Sequence, residues 1–443
     1  MTSPPEAVRS SGNRERYALP LVLITSLFFL WALGVNLNDI LIPHLKKAFG
    51  LSDFKSSLIQ SAFFGGYFLA ALPAGWLMER VGYKRGILIG LLMCATGAFL
   101  FIPASAIRVY GCFLFALFVM ACGQCFLEVA ANPYVTVLGA PETSERRLNI
   151  AQSFNSVGAV ITPVLGAAFI LSGVEHTSSQ LAAMTSEQLQ TYRITEANMV
   201  RGPYLVITGL FLAVAALIYF SRLPEIKEAG EEGEQDVAEQ GLRGTLAHGH
   251  LVKGVIAQFF YVGAQVGVAS FVIRFAQHMV PGTPEKVAAN YLKLHLVGFM
   301  IGRFAGSAIM KIVPAPRLLS YFAAGSLVCV MVALLASGVV PVWAIVLIGF
   351  FHSIMFPTIF ALSLKNLGAY TKLGSSLLVM SIIGGAIGPA IMGLISDAAS
   401  IQRAFVVPLI CYAYVFYYAV KGYVPAVTHT KDQLPELGLS RAK

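Results

Sequence analysis

Charge is what this sequence has least of. Asp, Glu, Lys and Arg together make up 12% of its 443 residues, against roughly 25% in an ordinary soluble domain. So little charge excludes both a solvated globular domain and a disordered chain, each of which depends on polar surface. Phosphate-binding P-loop and HExxH patterns are missing too, and no polar stretch is large enough to house chemistry. No enzyme, cofactor or metal is therefore expected. Cysteine is sparse: the six fall at 94, 112, 122, 125, 329 and 411, all inside apolar runs. Cys122-x-x-Cys125 has the spacing of a redox or metal pair, but on an apolar helix it reads as two small packing residues. His248 and His250, in the polar centre of the chain, read as a surface pair.

Apolar runs are what the sequence does have. Hydrophobic residues reach 57% and phenylalanine alone contributes 30, with a mean hydropathy of +0.73. A membrane span needs about 20 apolar residues. Twelve such runs fit between residues 19 and 420, which predicts an all-α integral membrane protein. Residues 1–18 are polar and carry Arg9, Arg14 and Arg16. The run behind them is long and lacks a cleavage site, so it reads as a first helix and not as a signal peptide. The net charge of +9 is no nucleic-acid footprint, because most Lys and Arg lie in the alternate segments that share a side with residues 1–18. That bias is the positive-inside rule. It places both termini in the cytoplasm of a cell whose inner (plasma) membrane the chain crosses repeatedly.

Residues 222–251 divide the runs six and six, and 225–239 are rich in Glu, Gly and Gln, the composition of a solvated linker. The expected organisation is a cytoplasmic tail at 1–18, a six-helix bundle at 19–221, a linker at 222–251, a second bundle at 252–420 and a tail at 421–443. Duplicated halves leave weak internal symmetry. Gly75 matches Gly306, Leu138-Gly139 matches Leu367-Gly368, and Gly158 with Pro163 matches Gly384 with Pro389, at offsets that drift by a few residues. A polar outer segment, 172–202, holds an amphipathic stretch over 186–193.

Against this background two acids stand out, Asp39 in the first span and Glu128 in the fourth. An ionised side chain at membrane depth costs at least about 2.5–3.5 kcal/mol, so it marks a substrate or proton pathway. Burial disfavours the charged form of a carboxyl group, and an acid so placed can take up a proton on one side and release it on the other. The alternative is a permanently ionised acid satisfied by hydrogen bonds or by a cation such as Arg274 or Arg303. Polar residues converge on the same depth: Asn36 beside Asp39; Gln124, Glu128 and Asn132 every four residues; Asn149, Gln152 and Asn155 every three; Gln258, Tyr261 and Gln265 in the seventh span. Amides in membrane helices can act as glue. As a set, they offer the donors and acceptors a polyol requires, and Phe126, Tyr134 and Tyr261 could cover an apolar sugar face. Lys293 and His295 could reach the outer interface by snorkelling.

Between the second and third spans runs Gly75-x-Leu77-x-Glu79-Arg80-x-Gly82-Tyr83-Lys84-Arg85-x-x-Leu88. It resembles the signature loop of the major facilitator superfamily, with Glu79 in place of the usual Asp and Tyr83 in place of a basic residue. Glycines there allow close helix contact, and the acid and basic cluster can bridge helix ends in one conformation and release them in another. Gly75, Glu79, Arg80, Gly82, Lys84 and Arg85 are the candidate conformational switch.

More of the chain is similar to the L-fucose:proton symporter family of bacterial sugar transporters. The matching stretches include Asn36-Leu-Asn-Asp-Ile-Leu41, Leu127-Glu-Val-Ala-Ala-Asn-Pro-Tyr-Val-Thr-Val-Leu-Gly139 and Leu148-Asn-Ile-Ala-Gln-Ser-Phe-Asn-Ser156. In the second half they include Ala257-Gln-Phe-Phe-Tyr-Val-Gly-Ala-Gln265, Ile301-Gly-Arg-Phe304, Lys365-Asn-Leu-Gly368 and Ser381-Ile-Ile-Gly-Gly385. The resemblance implies a twelve-helix major facilitator fold of two pseudo-symmetric bundles. It implies import of a monosaccharide (fucose, galactose, glucose or a relative) driven by a proton gradient, without any cofactor. It puts proton coupling at Asp39 and Glu128 and sugar contacts at Asn36, Glu128, Gln152 and Asn155; Tyr261 and Gln265 complete the expected site. The partners are then a sugar, protons and the lipid bilayer, with no nucleic acid and nothing that demands more than a monomer. A proton-independent facilitator or exporter on the same fold, and a sensor that binds sugar without moving it, are the alternatives.

Overall fold

Without water to satisfy backbone groups, a chain crossing lipid must be helical or a closed barrel, and among the described residues every regular element is a helix. The computed structural model describes residues 22–36, 45, 49, 53–169, 180, 183–221 and 241–425. The proton-site candidate Asp39, the expected N-terminal tail, most of the expected linker and the expected C-terminal tail beyond 425 lie outside them; residues 421 and 422, expected in that tail, continue the twelfth helix.

Nine of the described helices are long and apolar enough to cross a membrane. One of these, over 58–107, crosses twice, and 22–36 and Ser144–Phe169 supply two more, which makes twelve spans. The first is 22–36. The second and third form one helix, Asp53–Ile107, interrupted only at Gly82 (φ 80°, ψ 170°). The signature segment is therefore two helix ends meeting at one left-handed glycine, where the sequence suggested a loop. The fourth, fifth and sixth spans are Tyr110–Val137, Ser144–Phe169 and Arg201–Phe220. Before the sixth comes the amphipathic helix, Ser186–Met199, opened by a capping box between Thr185 and Gln188. Gly249–Met279, Glu285–Ile309 and Ala315–Leu335 are the seventh to ninth. The tenth is broken into Val340–His352 and Met355–Leu364, and the eleventh into Thr371–Met380 and Gly384–Ala398. The twelfth runs over Arg403–Gly422.

Proline causes the break in the tenth span. Pro357 has no N–H to donate to the carbonyl four residues back, that of Ser353, and its ring crowds that carbonyl. Pro133 does the same to Val129 in the fourth span, although there the helix continues. Both freed carbonyls find partners elsewhere, as described below.

The halves repeat each other in packing. Gly158 of the fifth span lies against the Phe29 carbonyl of the first, and Gly384 of the eleventh against the Phe259 carbonyl of the seventh. Gly139 and Gly368, each just past a span's C-terminal end, both take positive φ (119° and 53°). The third pairing read from the sequence is looser. Gly75 packs across the halves on Lys372 and Ser376, whereas Gly306 packs within its own half on Ile354. Between the halves, the fifth span packs on the eighth and on Met355–Leu364, and Thr371–Met380 packs on the second and fourth spans.

A Cβ at Gly384 would run into the Phe259 backbone, whereas one at Gly393 meets open space. Gly384→Ala should cost about 1–3 kcal/mol by overpacking, read as a lower thermal midpoint of the purified protein. Gly393→Ala should leave the midpoint unchanged or slightly raised.

Candidate functional site

Glu128 sits on a fully buried stretch of the fourth span, between Gln124 and Asn132 on one helical face, and is itself 4% exposed. Its polar neighbours are the Tyr67 hydroxyl of the second span and the Asn132 amide, and it lies within reach of the charge of Arg303 in the eighth span. Tyr67 in turn accepts a hydrogen bond from the Trp31 indole N–H, 3.2 Å away in the first span. On the other side, the Gln152 amide donates to Asn132 Oδ1 at 3.0 Å. Arg303 donates to the Gln152 backbone oxygen at 2.5 Å and to its Oε1 at 3.1 Å. The result is one polar relay that starts in one half and ends in the other: Trp31 bonds Tyr67, Arg303 bonds Gln152 and Gln152 bonds Asn132, with Glu128 lying between Tyr67 and Asn132, whose Nδ2 has no hydrogen-bond partner among the described residues.

Arg303 is 4% exposed, a costly place for a cation unless it is fully bonded. Its Nε donates to the Ser353 carbonyl at 2.8 Å, the one Pro357 frees, and its guanidinium lies 4.7 Å from the centre of the Phe299 ring. The broken tenth span thus supplies a waiting acceptor, and Arg303 spends its remaining donors across the interface. The sequence offers Arg303 as one of two counter-charges; its place in the relay depends on a carbonyl that only the proline four residues later reveals. Arg274, the other cation considered, is exposed and lies over the Phe271 ring.

The remaining candidates divide between relay, rim and packing. Asn36 donates to the Ala32 carbonyl at 2.7 Å and Asn155 to the Phe28 carbonyl at 3.2 Å; both are half-buried, as is Gln265. Tyr261 is fully buried, and its hydroxyl donates to the His352 carbonyl at the break in the tenth span, 3.0 Å away. His352 bonds the Tyr412 hydroxyl. His295 does not snorkel: it is 2% exposed and donates to the Ile345 carbonyl at 3.0 Å, while Lys293 is exposed. Gln124 and Gln258 are buried with neither amide atom hydrogen-bonded among the described residues.

Beyond the relay, toward the face that carries Gly82 and the ends of the fourth and tenth spans, the halves are tied together. Glu145 and Lys365 pair across them at 3.3 Å. Lys372 lies 5.5 Å from the Tyr83 ring centre, and Tyr83 meets Tyr134 edge to face at 5.7 Å. Deeper in, Asn149 donates to Thr358 Oγ1 at 3.1 Å and Ser375 Oγ to the Val129 carbonyl at 3.0 Å. Of the candidate switch residues, Arg80 stacks on Trp76 at 3.7 Å. Lys84 donates to the Tyr219 and Ser221 carbonyls at 2.9 and 2.8 Å, closing the end of the sixth span. Glu79 and Arg85 are exposed. Tyr134 therefore belongs to this closure. The geometry is that of a pathway sealed at one face, with its polar relay just behind the seal.

Residues 24–381 match the Major Facilitator Superfamily. The chain is 42% identical over 413 residues to a glucose/galactose transporter of Brucella abortus (strain 9-941), covering 93% of this chain and 96% of that protein. It is 43% identical over 414 residues to the L-fucose-proton symporter of Escherichia coli (strain K12), covering 93% and 94%. Among solved structures, the E. coli fucose:proton symporter in the outward conformation superposes with a TM-score of 0.82 at 42% identity, covering 91% of this chain and 98% of that one. A proton:xylose symporter shares the fold at 13% identity, with a TM-score of 0.64.

Arg303→Met leaves the Ser353 carbonyl and both Gln152 oxygens without their donor. It should lower stability by about 1–3 kcal/mol. Lys365→Met breaks an ion pair whose lysine is 43% exposed, and should change stability by no more than about 1 kcal/mol. Denaturation midpoints of the two purified variants check the ranking.

Proposed function

The chain belongs to the major facilitator superfamily, and we propose that it is a proton-coupled importer of a monosaccharide that works by alternating access between its two halves. The observation that carries this reading is the relay itself. A buried carboxyl group lies beside two bonded amides that lead to a cation of the opposite half, so proton occupancy, ligand contact and the relation of the halves meet in one polar cluster. The naming of its relatives as fucose, glucose and galactose carriers supports a hexose or deoxyhexose as the cargo.

The sealed face is the cytoplasmic one, in keeping with the bias of Lys and Arg toward it, and both termini lie on that side of the plasma membrane. In this state the sugar enters from outside. Asn36, Glu128, Gln152 and Asn155 of the first half supply acceptors and donors, with Gln265 meeting the ligand from the second. Tyr261 serves the site by holding the bend in the tenth span. Asp39 and Glu128 carry the proton. While Glu128 is ionised, it and Arg303 attract each other across the interface, and Gln152 is held between them. Protonation removes that attraction and frees Gln152 to bond a sugar hydroxyl in place of its present partners. The halves can then rock, because the bonds that held the inner face have lost part of their support. The chain functions as a monomer in this scheme, since the whole pathway is built from its own two halves.

Reconstituted into liposomes, the protein should give sugar-triggered inward charge movement with a small set of hexoses, and only under conditions that permit proton entry. Sugar exchange without any current would instead identify a proton-independent facilitator. Glu128→Gln and Asp39→Asn should each abolish accumulation against a gradient, while Asp39→Asn retains at least part of sugar binding or exchange. Wild-type accumulation in either variant would remove that acid from the coupling.

A further inference from the structure

One bond between the halves touches the relay at its most sensitive point. Ser375, in the first turns of the eleventh span, donates to the carbonyl of Val129, the residue that follows Glu128. Ser375 and Val129 are both fully buried. This carbonyl is available because Pro133 has no N–H to offer it, so it lacks the i+4 donor that a helix normally supplies. Ser375 belongs to the element that packs on the second and fourth spans from the opposite half. Its neighbour Ser376 bonds back to its own helix, at the Lys372 carbonyl. Ser375 is instead spent across the interface.

We propose that Ser375 is a positioning residue that seals the inner side of the Glu128 site, with the proline-freed Val129 carbonyl as its latch. This rests on the alternating-access reading above. The asymmetry of the bond makes it a sensor of closure. When the inner face opens, the Ser375 hydroxyl can turn to a carbonyl of its own helix, as Ser376 already does. The Val129 carbonyl has no such alternative and must be met by water. Opening therefore brings water to the backbone directly beside Glu128, the place where an inward-released proton has to leave. In the closed state the hydroxyl keeps that water out, and the proton on Glu128 has no inward exit. Coupling is thereby secured by an uncharged contact, separate from the half-exposed Glu145–Lys365 pair.

The test measures gate position and proton leak together. Spin labels go on cysteines introduced at Glu142 and Lys311, exposed positions in opposite halves, with the six native cysteines replaced. Ser375→Ala should raise the ratio of inner-open to inner-closed molecules by about ten-fold, the effect of leaving one buried acceptor unpaired. It should also speed sugar-free dissipation of an imposed pH gradient in liposomes. Ser375→Thr, which keeps the hydroxyl, should restore both readouts. In a Pro133→Ala background, residue 133 regains an N–H that can satisfy Val129, so adding Ser375→Ala should then change either readout by less than about two-fold.

An equal effect of Ser375→Ala in the two backgrounds would overturn the latch, as would no effect in the native one. Should Pro133→Ala fail to fold, a Thr variant that behaves like Ala would overturn the proposal by itself. Wild-type protein that moves no sugar with protons would defeat the transport reading; wild-type transport with an indifferent Ser375 would defeat only this inference.

Discussion

A backbone carbonyl inside a membrane protein has no water to turn to, and that constraint shapes everything at the centre of this molecule. Two prolines each release one carbonyl from the helical ladder. The freed Ser353 carbonyl draws in Arg303, a buried cation that needs acceptors. The freed Val129 carbonyl draws in Ser375 from the other half. In both cases a local defect in one span becomes a specific link to another. The link is directional, since a carbonyl in a fixed helix accepts from only a narrow range of positions. Irregular backbone is tolerated at this depth because it is buried in protein and bonded there.

From those links follows the electrostatic design. Arg303 and Glu128 do not pair directly; two amides stand between the halves' opposite charges. An amide can donate and accept at once, so Gln152 and Asn132 carry polarity between the charged groups while remaining able to exchange partners. A direct ion pair buried at this depth would be hard to break without leaving a charge unpaired. Interposed amides soften the contact enough for a ligand's hydroxyls to compete. The pair at the sealed face is weaker still, an ion pair with one partner 43% exposed, which suits a closure that must open in every cycle.

Much of this was legible in the chain. Low charge and a dozen apolar runs define the class, because the cost of unsatisfied backbone in lipid leaves few folds. The stripe of Gln124, Glu128 and Asn132 appears at once from helical period, and the matched glycines announce the duplication that the packing of the fifth span on the first and of the eleventh on the seventh then displays. What spacing could not reveal is partnership over long sequence distances. Arg303 lies 151 positions from Gln152 and Ser375 lies 246 from Val129, and nothing local in either segment marks the other. Pro133 and Pro357 were the available signal, since a proline inside a span announces an orphaned acceptor four residues earlier. Tyr261 illustrates the converse. It shares a helical face with polar neighbours, as the sequence suggests, but its hydroxyl is engaged by the bend in the tenth span, which periodicity cannot foresee.

The backbone-close contacts at Gly158 and Gly384 carry a mechanical consequence. Helices that touch carbonyl to Cα leave no soft layer of side chains to compress, so each tied pair transmits force as a stiff beam. A span of 28 residues such as Tyr110–Val137 is about 42 Å long. Pivoted near its middle, it converts a tilt of about 10° into a displacement of about 3–4 Å at either end. That is enough to part an ion pair at the rim, while groups beside the fulcrum shift by little more than the slack in a hydrogen bond. The molecule behaves as a lever, with its chemistry at the point of least travel.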